Sequence, residues 1–387
     1  MIFGILEIVK REMQLLVGRR IYLLTMVIIP IAMSLFFLSL LNPGLPLKVP
    51  TAIIDLDNST MSRKITRSLS AMETIEITEQ ATSFNEAMDK VGRGDIFGFF
   101  LIPEDFEQEA ISNRTPTISY YSNLTYFIPG TLAFKGFKTI AVSTSGNIVL
   151  TTLVAEGINP QQVETLLQPI VFQDHPIHNP WTNYSIYLSN SFIPGVIALM
   201  ILLVTSFSIC SELKQGSSIE WLKTANGSIL GALIGKLLPH TIIFSIIGIF
   251  SQSLLYSYNH FPLHCNPLIM IFAMILFVIA TQTFAVFICC LIPNLRLAVS
   301  IASLIGILSF SITGFSFPVE NMYGAIGIFS YIIPLRYYFL IYVDQALNGL
   351  PLFYSRWYFI VLIAIPFVVL PLLHRLKRAL LHPVYIP

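Results

Sequence analysis

Apolar residues are concentrated in six long runs, and each run is long enough to cross a bilayer. About 20 consecutive apolar residues span a membrane as a helix. The first run follows a basic N-terminal stretch, and the other five come after residue 190. The pattern therefore predicts an α-helical membrane protein with transmembrane helices at 21–41, 192–210, 230–256, 267–292, 297–316 and 357–373.

The first run has a competing interpretation as the core of a cleaved signal peptide, because basic residues precede it. Its length exceeds that of a signal-peptide core, and Leu41-Asn42-Pro43-Gly44 lacks a small-x-small cleavage pattern. A retained span is therefore favoured, and we assign 1–44 to an N-terminal segment with the first transmembrane helix.

Between the first two runs the pattern becomes that of a soluble α/β domain. Short β-rich segments alternate with helical segments of about ten residues, which favours βαβ units around a sheet. We predict a domain at 45–190, with a further helix beginning at Asn159-Pro160. Its predicted strands are 51–55, 74–78, 95–102 and 117–121, and its other helices are 59–72, 83–91, 104–111 and 126–156.

Composition supports this division. Charged residues make up 11% of the chain and the mean hydropathy is +0.74, whereas soluble proteins carry about 25% charged residues. Residues 45–190 hold 15 of the 21 acids and 9 of the 22 bases, and none of the four cysteines. The inserted domain is therefore expected to fold without disulfides. A net charge of +1 gives no indication of a nucleic-acid partner.

Charge also predicts orientation. With six spans, eleven Lys and Arg residues but only four Glu residues fall on the side that holds both termini. By the positive-inside rule this side is cytoplasmic. We therefore expect a multi-pass protein of the inner (plasma) membrane with cytoplasmic termini, an extracytoplasmic domain at 45–190 and a five-helix domain at 191–387.

A charged interruption lies on the cytoplasmic side between the second and third spans. It contains Trp221 and Leu222 among charged residues, so it has enough apolar surface to rest on a partner. An ordinary solvated loop is the alternative. We predict a segment at 211–228 that couples to a soluble partner, with contact residues Glu212, Lys214, Gly216, Glu220, Trp221, Leu222 and Lys223.

Three glycines spaced by four residues, Gly227, Gly231 and Gly235, predict a smooth face for close helix packing. Gly235-Lys236 resembles the end of a phosphate loop, but Leu237 stands where Ser or Thr is needed. We expect no nucleotide site, no cofactor and no enzymatic activity in this chain.

Histidines provide weak metal signals. His175 and His178 form one pair, and His260, His264 and Cys265 form another group, but both lie in Pro-containing loops, so no metal site is expected. His240 lies within the third span, where ionisable groups tend to be functional. A packed neutral histidine is the favoured interpretation.

The segment 318–355 is too broken to span a bilayer and too apolar to lie free in water. We predict a re-entrant or interfacial segment on the outer side. Its characteristic residues are Gly314, Pro318, Pro334, Arg336 and Asp344.

These features together resemble the permease subunits of ABC-2 type exporters, in the subgroup with a large domain after the first span. The matching motifs are Glu212-Leu-Lys-Gln-Gly216, Glu220-Trp-Leu, Gly235-Lys-Leu-Leu-Pro239, Gly314-x3-Pro318, Pro334-Leu-Arg-Tyr-Tyr-Phe and Ile53-Ile-Asp-Leu-Asp-Asn-Ser59. One departure is that Gly216-Ser-Ser-Ile-Glu220 replaces the commoner Gly-Thr-x-Glu.

The resemblance implies a pair of permeases, identical or different, above two separate ABC ATPase subunits. A coupling helix within 212–223 would rest in a groove of each ATPase, with Trp221 as its anchor. The outer domain would either receive substrate or dock a periplasmic adaptor that leads to an outer-membrane channel. The aromatic-rich spans favour export of a lipophilic or amphipathic substrate. The alternative function is a membrane-anchored receptor or assembly protein that binds a ligand without transport.

Overall fold

Two compact units make up the chain in the computed structural model, one formed by residues 1–44 with 176–387 and the other by 45–175. The structure describes residues 2–45, 47–112, 114–125, 127–155, 157, 159, 178–179 and 183–382. In chain order the helices are α1 (Ile2–Gly18), α2 (Arg20–Leu23), α3 (Ile29–Leu40), α4 (Thr60–Ser70), α5 (Phe84–Arg93), α6 (Phe106–Ile111), α7 (Phe127–Ala155), α8 (Tyr184–Lys214), α9 (Ser218–Thr224), α10 (Ile229–Ser253), α11 (Pro267–Leu291), α12 (Leu295–Ile312), α13 (Gly324–Ser330), α14 (Pro334–Ile341), α15 (Leu352–Val369) and α16 (Leu373–Leu381).

Six helical stretches in the described residues are long and apolar enough to cross a membrane, as the hydrophobic pattern predicts. Several run past their predicted ends, because polar residues at the ends of a helix can still be helical. The second, for example, begins eight residues before the predicted 192. The six stretches are Arg20–Leu40, Tyr184–Lys214, Ile229–Tyr258, Pro267–Leu291, Leu295–Ile312 and Leu352–Leu381.

Polar caps define where several of these helices begin. A side-chain oxygen at the N-cap accepts a hydrogen bond from one of the first backbone N–H groups, which otherwise lack partners. Asn183, Ser228, Asn266 and Asn294 cap α8, α10, α11 and α12 in this way. These caps therefore determine the residue at which each of the four helices begins.

The helix α8 forms the centre of the first unit. It packs against α3, α11 and α12, and most of its apolar residues are buried. At one end of the unit a second apolar cluster joins α1, α9 and α16 to the neighbouring ends of α8, α10 and α11, with Ile8, Trp221 and Leu376 among its buried members. We call this end, comprising α1, α9, α16 and residues 205–217 and 228–240, the base.

The segment 318–355 forms short helices rather than a straight span. The helical stretches Gly324–Ser330 and Pro334–Leu347 are bent by 73° about a short break. Pro334 occupies the first turn of α14, where its missing N–H costs nothing. The broken path agrees with the pattern of Pro and Gly, and its position relative to a membrane stays a prediction.

The second unit contains a four-stranded sheet. Its strands are β1 (Val49–Asp55), β2 (Ile75–Gln80), β3 (Gly98–Ile102) and β4 (Ser119–Ser122). Their order is β2-β1-β3-β4, with β1 parallel to β2 and β3, and β4 antiparallel to β3. The four strands overlap the four β-rich segments of the sequence, with shifted ends: β3, for example, begins at Gly98 rather than at 95.

Both faces of the sheet are covered. Ile53 and Phe100 belong to one core, whereas Ala52, Ile54 and Phe99 belong to another. Neighbouring residues of a strand point to opposite faces, so the two cores lie on the two sides of the sheet. The helix predicted from Asn159-Pro160 falls largely outside the described residues.

Candidate functional site: a buried ion cluster

A group of charged side chains lies buried at the base. Lys236, in the second turn of α10, places its Nζ 2.8 Å from Glu12 Oε2 and 2.8 Å from Glu212 Oε1. The three side chains are only 2–4% exposed. Glu12 comes from α1 and Glu212 from the end of α8. One ammonium group therefore joins three helices that are far apart in sequence.

The remaining carboxylate oxygens are also paired. Glu12 Oε1 accepts a hydrogen bond from Ser208 at 3.0 Å and lies 3.0 Å from His240 Nε2. Because an ionised carboxylate only accepts hydrogen bonds, His240 is assigned as the donor. Burial alone would raise the pKa of Glu12, but the hydrogen bond with His240 and the charge of Lys236 lower it to about 2.

The cluster extends from Glu212 to the edge of the base. Arg11 donates to Glu212 Oε2 at 2.9 Å, and Ser217 donates to the same oxygen. Arg11 is about one-third exposed, so it is the member that reaches solvent. Two carboxylates thus face two basic side chains, Lys236 and Arg11. We call Arg11, Glu12, Glu212, Lys236 and His240 the ion cluster.

The ion cluster lies directly beside the predicted coupling segment. The ring of Trp221, on α9, is centred 5.2 Å from Lys236 Nζ. Ser218, one turn earlier, donates to the backbone oxygen of Leu380 on α16 at 2.8 Å. α9 is therefore in contact with α10 on one side and with α16 on the other.

The expectation that Trp221 is an accessible anchor needs correction. Trp221 is 0% exposed and Leu222 is 2% exposed, and both pack within the base. A seven-residue helix beside an apolar cluster buries its largest side chains against its own chain. Glu212 is likewise internal. The exposed residues among those predicted are Lys214, Gly216, Glu220 and Lys223, and Ile219, 37% exposed, joins them.

The three glycines differ in role. Gly235 does provide a close approach, because a Cβ there would lie 2.9 Å from Ile8 Cβ on α1. Gly231 makes only ordinary contacts. Gly227 precedes α10 and has φ +74°, so it serves a turn and the predicted packing role is wrong for it. Gly216, with φ +72°, ends α8 in the same left-handed conformation.

The predicted outer residues do not form one site. Gly314 and Arg336 are neighbours: Arg336 Nη1 donates to the Thr313 oxygen at 2.9 Å, and a Cβ at Gly314 would lie 2.7 Å from that nitrogen. Asp344 instead accepts from Ser355 at 3.1 Å. Pro318 and Pro334 each begin a short helix.

Metal ligation finds no support among the described residues, where no group of three or more His, Cys, Asp or Glu side chains is placed to hold a metal. His178 and His264 approach each other with ring centroids 6.4 Å apart. His175 lies outside the described residues. His240 is completely buried beside the ring of Tyr22, and its Nε2 is hydrogen-bonded to Glu12.

Two members of the ion cluster, Arg11 and Glu12, were not identified from the sequence. Arg11 and Glu12 resemble ordinary surface charges of a basic N-terminus, and nothing local shows that they face residue 236. One signal was available: Lys236 falls inside an apolar run, and charged groups in spans are paired. That rule requires an acidic partner, without saying which of the nearby acids supplies it.

Acid should destabilise the protein through Glu12. Its folded-state pKa is lowered, so its stabilisation is complete above the unfolded-state pKa and is lost as the pH falls towards about 2. The shift corresponds to roughly 3 kcal/mol. We expect the melting temperature of purified protein to fall less steeply for Glu12→Gln than for wild type between about pH 5 and about pH 3. The exposed Glu320→Gln should keep the wild-type slope, and equal slopes in all three would contradict the assignment.

These helices and this cluster define a polytopic α-helical membrane protein with a large unit inserted after its first candidate span. The chain belongs to the ABC-2 family of transporter proteins, whose family model matches residues 20–373. It is thus a membrane component of an ABC transporter, a class that works with an ABC ATPase. Comparison with curated proteins gave no match.

Proposed function

We propose that this chain is the permease subunit of an ATP-driven exporter that moves a lipophilic or amphipathic substrate outward across the inner membrane. A separate ATPase subunit supplies the energy, and a second permease, identical or different, completes the membrane part. The observation that carries the proposal is the ion cluster, because it fastens the 211–228 segment to both α1 and α10.

The ATPase would dock on the exposed face of the 211–228 segment. Closure of the ATPase pair would then push that face as a rigid body. Glu212 and Trp221, on the opposite side of the segment, are held against Lys236. The push would therefore reach the third span at its first turns and the N-terminal helix at the same time.

Docking should depend on Ile219. Ile219 is the exposed apolar residue of this face and precedes the exposed Glu220, so Ile219→Asp would place a charge in the interface. Such a change costs on the order of 2 kcal/mol, or roughly thirtyfold in affinity. We expect the ATPase to be lost on co-purification and transport to stop. Ile326→Asp, at an isoleucine on α13 that is 46% exposed, should retain both. Full ATPase recovery with Ile219→Asp would exclude docking at this face.

Orientation can be tested separately. The proposal places Lys10 in the cytoplasm and Asn85 outside, and both residues are exposed. In intact cells a membrane-impermeant thiol reagent should modify Asn85→Cys and leave Lys10→Cys unmodified until the cells are permeabilised. Modification of Lys10→Cys in intact cells would reverse the proposed orientation. A periplasmic adaptor and an outer-membrane channel remain proposals that follow from an outside position of the second unit.

A further inference from the structure

A groove of about 350 Å³ runs along the first unit between α10, α11 and the α15–α16 stretch. Ten of its fourteen lining residues are Leu, Ile or Val, and the lining carries no charged side chain among the described residues. Ile234 and Leu238 on its rim are about half exposed. These helices are candidate spans, so we expect the groove to open towards lipid rather than water.

One polar side chain in this lining lacks a full set of partners. Gln282 is 3% exposed, and its Nε2 has no hydrogen-bond partner among the described residues. Its Oε1 lies 2.6 Å from the hydroxyl of Thr241, which is also 2.9 Å from the Leu237 oxygen. Thr241 has one proton for these two acceptors. Whichever acceptor it takes, the Gln282 amide keeps an unpaired polar atom.

Exchanging the positions of the nitrogen and oxygen of the Gln282 amide still leaves one of these atoms without a hydrogen bond. Nitrogen and oxygen of an amide are assigned from their partners, so the reversed orientation would let Nε2 donate to Thr241 while Oε1 stays unpaired. The terminal torsion of glutamine is broad, so the amide can present either atom towards the groove. Buried polar groups are otherwise hydrogen-bonded, and an occupant of the groove would supply the missing partner.

The position of the Gln282 amide determines what kind of ligand could fill the groove. Gln282 lies 15 residues after Pro267 and nine before Leu291, which places it roughly 22 Å and 14 Å from the two ends of α11. Headgroups of lipids lie near the helix ends. The end of the groove that lies within the base, at Leu230, Leu233 and Leu373, is purely apolar. The occupant must be apolar along its length, with its polar atom deep in the membrane.

We propose that this groove binds a neutral lipophilic alcohol whose hydroxyl pairs with the Gln282 amide. A hydroxyl both donates and accepts, so it satisfies the amide in either orientation. A charged ligand would find no countercharge in the lining. The proposal does not depend on the transport direction or on the ATPase.

The test uses purified full-length protein in lipid nanodiscs and a long-chain alcohol tagged with a diazirine. Ultraviolet irradiation should label α10 and α11 around Leu238 and Ile279. An untagged alcohol should compete for this labelling, and the alkane of the same length should not. Gln282→Leu should weaken binding of the tagged alcohol about tenfold and abolish the preference for alcohol over alkane.

Thr283→Val is the matched control. Thr283 lines the same groove, but its hydroxyl already donates to the Ile279 oxygen at 2.8 Å, so labelling and the alcohol preference should persist. Ile234→Trp should fill the groove and remove labelling without touching the amide. Equal competition by alcohol and alkane in wild type, or an unchanged preference in Gln282→Leu, would overturn the proposal. So would disulfide cross-linking of two copies through Leu238→Cys, which would show that a second copy covers the groove.

Discussion

Lys236→Met should destabilise the folded protein by about 3–5 kcal/mol, because it leaves two buried carboxylates without their shared cation. Glu12 and Glu212 would then repel each other at the base, and only Arg11 and His240 would remain near them. The expected result is a much lower yield of monodisperse protein and a clearly lower melting temperature in detergent. Both can be measured by fluorescence-detected size exclusion over a temperature series.

Two further variants test whether the loss of stability comes from the unpaired buried carboxylates. Lys10→Met removes an exposed lysine from α1 and should change stability by less than about 0.5 kcal/mol. Adding Glu12→Gln and Glu212→Gln to Lys236→Met removes the buried charges together, which should recover most of the stability. The triple variant should still fail in transport if the cluster transmits movement. A stable Lys236→Met protein would show that the cluster does not hold the base together.

Gly4→Val should uncouple ATP hydrolysis from transport. A Cβ at Gly4, on α1, would overlap the backbone oxygen of Thr224 at the end of α9. A backbone atom cannot move aside as a flexible side chain can, so valine would push α1 away from α9. Overpacking of this kind costs about 1–3 kcal/mol. We expect the variant to fold and bind the ATPase, with transport reduced at least tenfold in proteoliposomes.

Gly18→Val provides the control on the same helix. No atom lies within 4 Å of a Cβ built at Gly18, so the added side chain meets open space. The variant should transport as wild type does. Wild-type transport by Gly4→Val, or equal losses of transport in both variants, would show that the contact between α1 and α9 has no role in coupling.

The spans and the sheet were predictable because their signals are local. The run 267–292, for example, is apolar except for Thr281, Gln282 and Thr283, and Asn266 followed by Pro267 marks its start. In the second unit, Ser59 and Ser83 cap α4 and α5 where the pattern changes from strand to helix. Helix ends were less predictable, since polar residues such as Ser185 and Asn190 continue α8 beyond its apolar part.

The ion cluster was not predictable because it depends on contacts between distant residues. Glu12 and Lys236 are 224 positions apart, and no periodicity connects them. The misassignment of Trp221 has the same origin. A large aromatic residue in a charged segment suits an interface with a partner and a contact with its own chain equally well. Which one applies depends on α16 and α10, whose positions only the fold supplies.

The position of Glu12 also has a consequence for biosynthesis. A ribosome adds about 5–20 residues per second, so the 224 positions between Glu12 and Lys236 take on the order of 10–45 s to translate. During that interval α1 has been made while its lysine has not. Until α10 is made, Glu12 lacks its buried ammonium partner and α1 lacks its contact with α10. Docking of α1 onto the newly made α10 would then be a late step of assembly, reached only after the whole inserted unit has been synthesised.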